Sequence, residues 1–205
     1  MTDMKVGQAA EAGSPPRRQG RPRSTARAKA ILEATLELLP DVGYGGLTME
    51  GVAARAGVAK TTVYRRWPSK PALVVAAAEE LAANVRRPDT GNVREDLIAL
   101  LLDIITVFTE TVAGRIVPGL LADMAENPDL AEAIGAFLGT RRKIMFEILQ
   151  RGISRGELRP EIDLELAADM MYGPIYYRFL VRRAPLNPEF ADQVVDAVLR
   201  GEALR

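Results

Sequence analysis

Neither cysteine nor histidine occurs anywhere in the 205 residues. This double absence excludes disulfides, thiolate nucleophiles, Ser-His-Asp triads and metal sites held by His or Cys. An enzyme would be left with carboxylate, Lys or Tyr chemistry, and no paired-carboxylate motif stands out. No catalytic residue, metal site or cofactor is therefore assigned. Aromatic residues are scarce, at 5%, against 48% hydrophobic residues rich in Ala and Leu. Sandwiches and barrels draw on β-branched and aromatic side chains, so this balance favours a helical protein. No uncharged apolar run reaches the ~20 residues needed to span a membrane, and the N-terminus lacks an apolar signal region. The expectation is a soluble cytoplasmic protein with no membrane partner.

Charge is present in quantity but unevenly placed. Residues 1–87 hold 14 Lys and Arg against 8 Asp and Glu, net +6, while residues 88–205 hold 13 against 19, net −6. A basic front half hints at a polyanionic partner. Residues 1–23 carry Gly, Pro and Ser with Arg17, Arg18, Arg21 and Arg23 and show no apolar periodicity. They read as a disordered basic arm.

Helical patterns begin after that arm. Ser24 or Thr25 can cap a first helix whose apolar residues are Ile31, Leu32, Leu36 and Leu39, stopping by Gly43. Thr48 can cap a second helix, TMEGVAARAG, broken at Gly57. KTTVYRRW follows after a short turn, and Ser69 can cap a long helix over 69–85. RRPDTGN (86–92) is the best linker, separating a front domain at 24–85 from a back domain at 92–205. The back half reads as helices only, with Asp163 and Asn187 opening the last two. Gly173-Pro174 should kink the first of these, because proline removes a backbone hydrogen bond.

A helix over 48–56, a turn at Gly57 and a helix over 60–67 have helix-turn-helix spacing. Such a unit props its second helix in the DNA major groove with N-terminal side chains on base edges. Val58 and Val63 face the small core, leaving Lys60, Thr61, Thr62, Tyr64 and Arg65 outside. These residue types can serve bases or phosphates. Lys70 opposes the macrodipole of its own helix, which points instead to a phosphate grip at that helix start. Arg21 and Arg23, in GRPR, resemble a minor-groove-seeking arm or simply solubilise the N-terminus.

The run TMEGVAARAGVAKTTVYRRWPSKPALVVAA resembles the DNA-binding domain of the tetracycline-repressor (TetR) family. The matching positions are Thr48, Val52-Ala53, Ala56-Gly57-Val58, Thr62, Tyr64, Trp67, Lys70 and Leu73. The segment 155–181 is similar to a common C-terminal ligand-binding variant of the family. The resemblance implies an all-α fold of about nine helices, with a three-helix DNA-binding domain and a helical ligand-binding and dimerisation domain. It also implies DNA contacts from Thr48, Lys60, Thr61, Thr62, Tyr64, Arg65 and Lys70, with Trp67 either packing under the motif or donating to a phosphate. The partners it implies are a double-stranded, palindromic operator, a second copy of the chain, and a largely apolar small-molecule effector. The expected function is ligand-responsive transcriptional regulation, with repression favoured over activation. A constitutive DNA-binding protein and an enzyme with an accessory DNA-binding domain are the rivals.

In the back half, Phe108, Met124, Phe137, Met145, Leu149, Met170, Tyr172 and Tyr176 are candidates for an effector pocket. Their helical spacing suits core equally well. The last two helices carry more apolar residues than one stripe needs. Ile175, Phe179, Val194, Val195 and Val198 are therefore expected at a dimer interface, which the family builds from these helices.

Overall fold

The computed structural model describes residues 21–203, with side chains over 25–201. Among the described residues there are nine α-helices and no strand. The first, α1 (Arg21–Gly46), is broken at Gly43, whose φ of 67° is left-handed. It starts before the expected cap at Ser24 or Thr25, and takes in the last three residues assigned to the arm. The rest of that arm lies outside the described residues.

Three short helices follow: α2 (Met49–Arg55), α3 (Lys60–Tyr64) and α4 (Lys70–Leu81). Side-chain caps set two of their starts, because the Thr48 and Ser69 hydroxyls accept from Gly51 N–H and Ala72 N–H at 3.0 and 3.3 Å. These bonds satisfy amides that lack a partner in the first turn. The helix expected over 69–85 ends four residues early, at Leu81. The back half comprises α5 (Val93–Glu110), α6 (Ala113–Met124), α7 (Pro128–Ser154), α8 (Leu164–Tyr176) and α9 (Pro188–Val198). Asn92, Asp163 and Asn187 cap α5, α8 and α9 through their side chains. Pro174 lies within α8, and a wider π-type turn over Tyr177–Arg182 continues it. No single described helix is long and apolar enough to cross a membrane.

Two cores hold the helices together. The back core gathers Leu97, Leu101, Met145, Ile148, Leu149, Met171 and Ile175 from α5, α7 and α8 with Val194, Val195 and Val198 of α9. The front core contains Ile31, Leu47, Val52, Val63 and Leu73, yet also Ile116, Leu120, Leu130 and Ile134 from α6 and α7. The two halves therefore share buried surface: α1 packs on α6, and α4 packs on α7.

This packing corrects the expected dimer interface at four of its five residues. Ile175, Val194, Val195 and Val198 are buried inside the chain's own core. Phe179 is half-buried and stacks on Phe108 with ring centroids 5.0 Å apart. The surplus apolar stripes exist because α8 and α9 each meet several neighbours within one protomer. The outward face carries different residues, Leu166, Met170, Tyr177 and Val181, which are 45%, 37%, 57% and 66% exposed.

The linker between α4 and α5 is tied down along its length. Arg86 forms a two-pronged pair with Asp103, and Arg87 pairs with Glu147. Asp96 is fully buried and accepts from the Thr90 amide and hydroxyl at 2.8 and 2.9 Å. Arg151 donates to the Pro88 carbonyl.

Candidate DNA-binding face and ligand cavity

The α2–α3 corner is built from small residues and one left-handed glycine. Gly57 has φ 65°, which lets its N–H reach Ala54 O and brings Val58 N–H to Ala53 O at 3.0 Å. A side chain there would strain the turn. Val63 is fully buried beneath it. Lys60, Thr61, Tyr64 and Arg65 are exposed, and Thr62 is half-buried beside a recess it shares with Arg27, Arg65 and Arg66. One short face thus gathers hydroxyls, an aromatic and cations. Trp67 instead packs against the front core, with the Arg66 guanidinium 5.8 Å from its ring centroid.

Two cations on this side are held from within. Lys60 pairs with Glu50 of α2 and lies 5.3 Å from the Tyr64 ring centroid. The hydrogen bond between them lowers the Glu50 carboxyl and raises the Lys60 ammonium from their ordinary values. The carboxylate at residue 50 has no counterpart among the sequence-derived candidates. Lys60 and Glu50 lie ten residues apart across a turn, a spacing no pattern flags.

Lys70, expected to grip a phosphate because a structural account of it looks weak in sequence, has a structural partner. Its Nζ donates to Tyr44 O at 2.8 Å and sits 4.2 Å from the Tyr44 ring centroid. The cation therefore serves the carbonyl end of α1 and braces the start of α4. Thr48 has its hydroxyl oxygen engaged as a helix cap but keeps its own O–H to donate. The side chains of Arg21 and Arg23 lie outside the described residues.

Behind this face is a cavity of about 820 Å³, within the range of small-molecule sites. Its wall crosses the boundary between front and back halves. Leu36 and Leu39 come from α1, Val74, Ala78 and Leu81 from α4, Ala82 and Val85 from the chain just after it, and the remainder from α5 through α8. Phe108, Phe137, Tyr172 and Tyr176 line it, as do Arg141, Arg142, Glu165 and Asp169. The other four expected pocket residues do not. Met145 and Leu149 are buried in the back core, Met124 packs on the front core, and Met170 faces outward. All four sit on the same helices as true lining residues but are rotated off the cavity side.

Among the described residues, polar lining side chains come only from α7 and α8. Arg142 bridges both acids, with Nη1 2.7 Å from Asp169 Oδ1 and Nη2 2.8 Å from Glu165 Oε2. These bonds to Asp169, and less to Glu165, raise the Arg142 pKa above its ordinary value. Burial pushes the Tyr172 hydroxyl up to about 12 and raises that of Tyr176 as well. Both phenols stay neutral near physiological pH and can donate. Glycines open the α7 wall: a Cβ at Gly135 or Gly139 would meet nothing within 4 Å.

Coupling from cavity to DNA face has visible contacts. Asp123 of α6 accepts from Tyr44 N–H at 3.0 Å, and Arg115 of α6 pairs with Asp41 at 3.0 Å. Tyr44 in turn offers its carbonyl to Lys70.

Residues 31–77 match the family described as bacterial regulatory proteins, tetR family. Residues 87–198 match the tetracyclin repressor-like C-terminal domain. The DNA-binding transcriptional repressor TetR of Mycobacteroides abscessus is 33% identical over 180 residues, covering 86% of this chain and 94% of that protein. The crystal structure of the TetR family transcription regulator SCO0332 is 35% identical with a TM-score of 0.69, over 87% of this chain and 99% of that one. FadR from Bacillus subtilis, determined in complex with stearoyl-CoA, shares the fold with a TM-score of 0.67 at 20% identity, over 84% and 98% of the two chains.

Proposed function

The chain belongs to the tetR family of bacterial regulatory proteins, and from that premise we propose a repressor released from its operator by a small molecule. It acts in the cytoplasm as a homodimer on a near-palindromic site, and it has no enzymatic activity of its own. One observation carries this reading. The cavity is walled on one side by α1 and α4, the helices that pack against and follow the helix-turn-helix. A ligand that fits one disposition of these helices better than another shifts the population by its differential affinity. A cavity confined to the back half would have no such leverage.

The second copy docks on the outward face of α8 and its π-type extension. Leu166, Met170, Tyr177 and Val181 recur there at helical spacing as exposed apolar side chains, and a contiguous apolar stripe on a surface marks an interface. Two-fold pairing suits the DNA task, because one short α3 reads few base pairs and a partner places a second in the next major groove. Enrichment of sites from random DNA by the full-length protein tests the proposal. It should select a two-fold-related sequence; selection of an asymmetric site, or of none, sinks it.

A further inference from the structure

The cavity's polarity is one-sided, and its single unengaged charge is positive. Glu165 and Asp169 are both bridged by Arg142. Arg141, one residue earlier, pairs with no carboxylate among the described residues; its guanidinium carbon lies 5.5 Å from the Phe137 ring centroid. A cationic ligand would meet acids whose charge Arg142 already offsets, whereas an anion meets Arg141 directly. The Tyr172 hydroxyl, a neutral donor on the facing helix, can serve the same head group. The wall contributed by the DNA-binding half, Leu36 and Leu39 of α1 with Val74 and Ala78 of α4, offers no polar side chain. A ligand with polar groups anywhere but one end would leave them unpaired in that region.

We infer that the cavity takes a single-chain amphiphile with an anionic head, anchored at Arg141, whose apolar end is read by α1 and α4. The inference rests on the repressor reading above and deepens it by naming the ligand class. Orientation makes chain length the measured quantity. Each added methylene gains apolar burial until the chain end reaches the DNA-binding half. Only chains long enough to touch α1 and α4 then bias the spacing of the recognition helices.

Calorimetric titration of the lipid-stripped, full-length protein tests this directly. The probes are decanoate, decanol and decyltrimethylammonium, each below its micellar concentration. Decanoate should bind about tenfold more tightly than either of the others, as a charge-assisted pair in a partly buried site allows. Arg141→Gln should remove that advantage while leaving decanol binding unchanged, which shows that the cavity itself is intact. Across a carboxylate series, affinity should climb by about fourfold per methylene and then stop. Ala78→Leu, which fills the α4 wall, should move the stopping point to shorter chains. Equal affinity for decanoate and decanol, preference for the ammonium probe, or no binding by any of the three overturns the inference. In each case, two-fold operator selection by the same protein still stands or falls separately, so the repressor reading is judged independently.

Discussion

The α2–α3 corner and the cavity behind it are built by opposite strategies. The corner draws on one continuous stretch of about twenty residues, in which a threonine cap, a left-handed glycine and two buried valines, Val52 and Val63, fix where the outward side chains go. The cavity draws on six helices scattered from residue 36 to residue 176, and no two neighbouring walls come from one local motif. Local geometry can specify a surface that must present the same groups to DNA. A cavity depends on what long-range packing leaves empty, so small rotations of a helix decide membership. The contrast explains why Met170 and Met171, adjacent in sequence, end up at the surface and in the core, while Tyr172 lines the pocket.

Single substitutions in the two regions should therefore act differently. The largest effect on stability is expected behind the corner. Phe108 is buried at the cavity edge, edge-on to Tyr176 and stacked on Phe179. Phe108→Ala should lower unfolding free energy by about 3 kcal/mol, measured by urea denaturation. Tyr64→Ala on the exposed face should instead change stability by less than ~0.5 kcal/mol. Equal losses at both positions would erase the distinction.

A binding effect of comparable size belongs to the corner alone. Arg65→Ala should weaken operator binding by about ten- to a hundredfold with unfolding unchanged, the scale of a lost base-edge contact. A uniform loss across all DNA sequences would reassign Arg65 to a phosphate.

Lys70 lies between the two regions and should give a smaller, diagnostic result. Its ammonium is bonded to the Tyr44 carbonyl, so Lys70→Ala should cost about 1–2 kcal/mol of stability and leave the salt dependence of DNA binding intact. If the salt slope falls by about one instead, the residue grips phosphate, as its place in the sequence suggests. The smallest effect is expected at Glu50. Its carboxylate occupies Lys60 on the DNA-facing side, so Glu50→Gln should tighten operator binding by about two- to fivefold. Weaker binding would mean that Glu50 orients Lys60 rather than competing for it.

Legibility in the sequence follows the same division. Helix starts at Thr48, Ser69, Asp163 and Asn187 are readable because capping is local chemistry. So are the breaks at Gly43 and Gly57, where φ is positive. Burial, pocket lining and interface are not readable one from another, because all three place apolar residues at the same helical spacing. Val194, Val195 and Val198 look like an interface and are core, while Leu166 and Tyr177 attract no notice and form the exposed stripe. The contribution of Leu36, Leu39, Val74 and Ala78 to the cavity is hidden for another reason. They belong to a segment whose DNA-binding pattern already accounts for every apolar position. A faint signal is present in Gly135 and Gly139, four residues apart on a long helix; unlike Gly152 of the same helix, neither is required by a close neighbour.

The central claim is that one cavity wall belongs to the DNA-binding half, so occupancy and operator affinity are a single coupled equilibrium. The carboxylate at which affinity stops climbing reaches α1 and α4, and its affinity for the free and for the operator-bound protein tests the claim most directly. Linkage requires this probe to bind DNA-bound protein more weakly, by the same factor by which it weakens operator binding. Identical affinity of this probe in the two states would contradict the account.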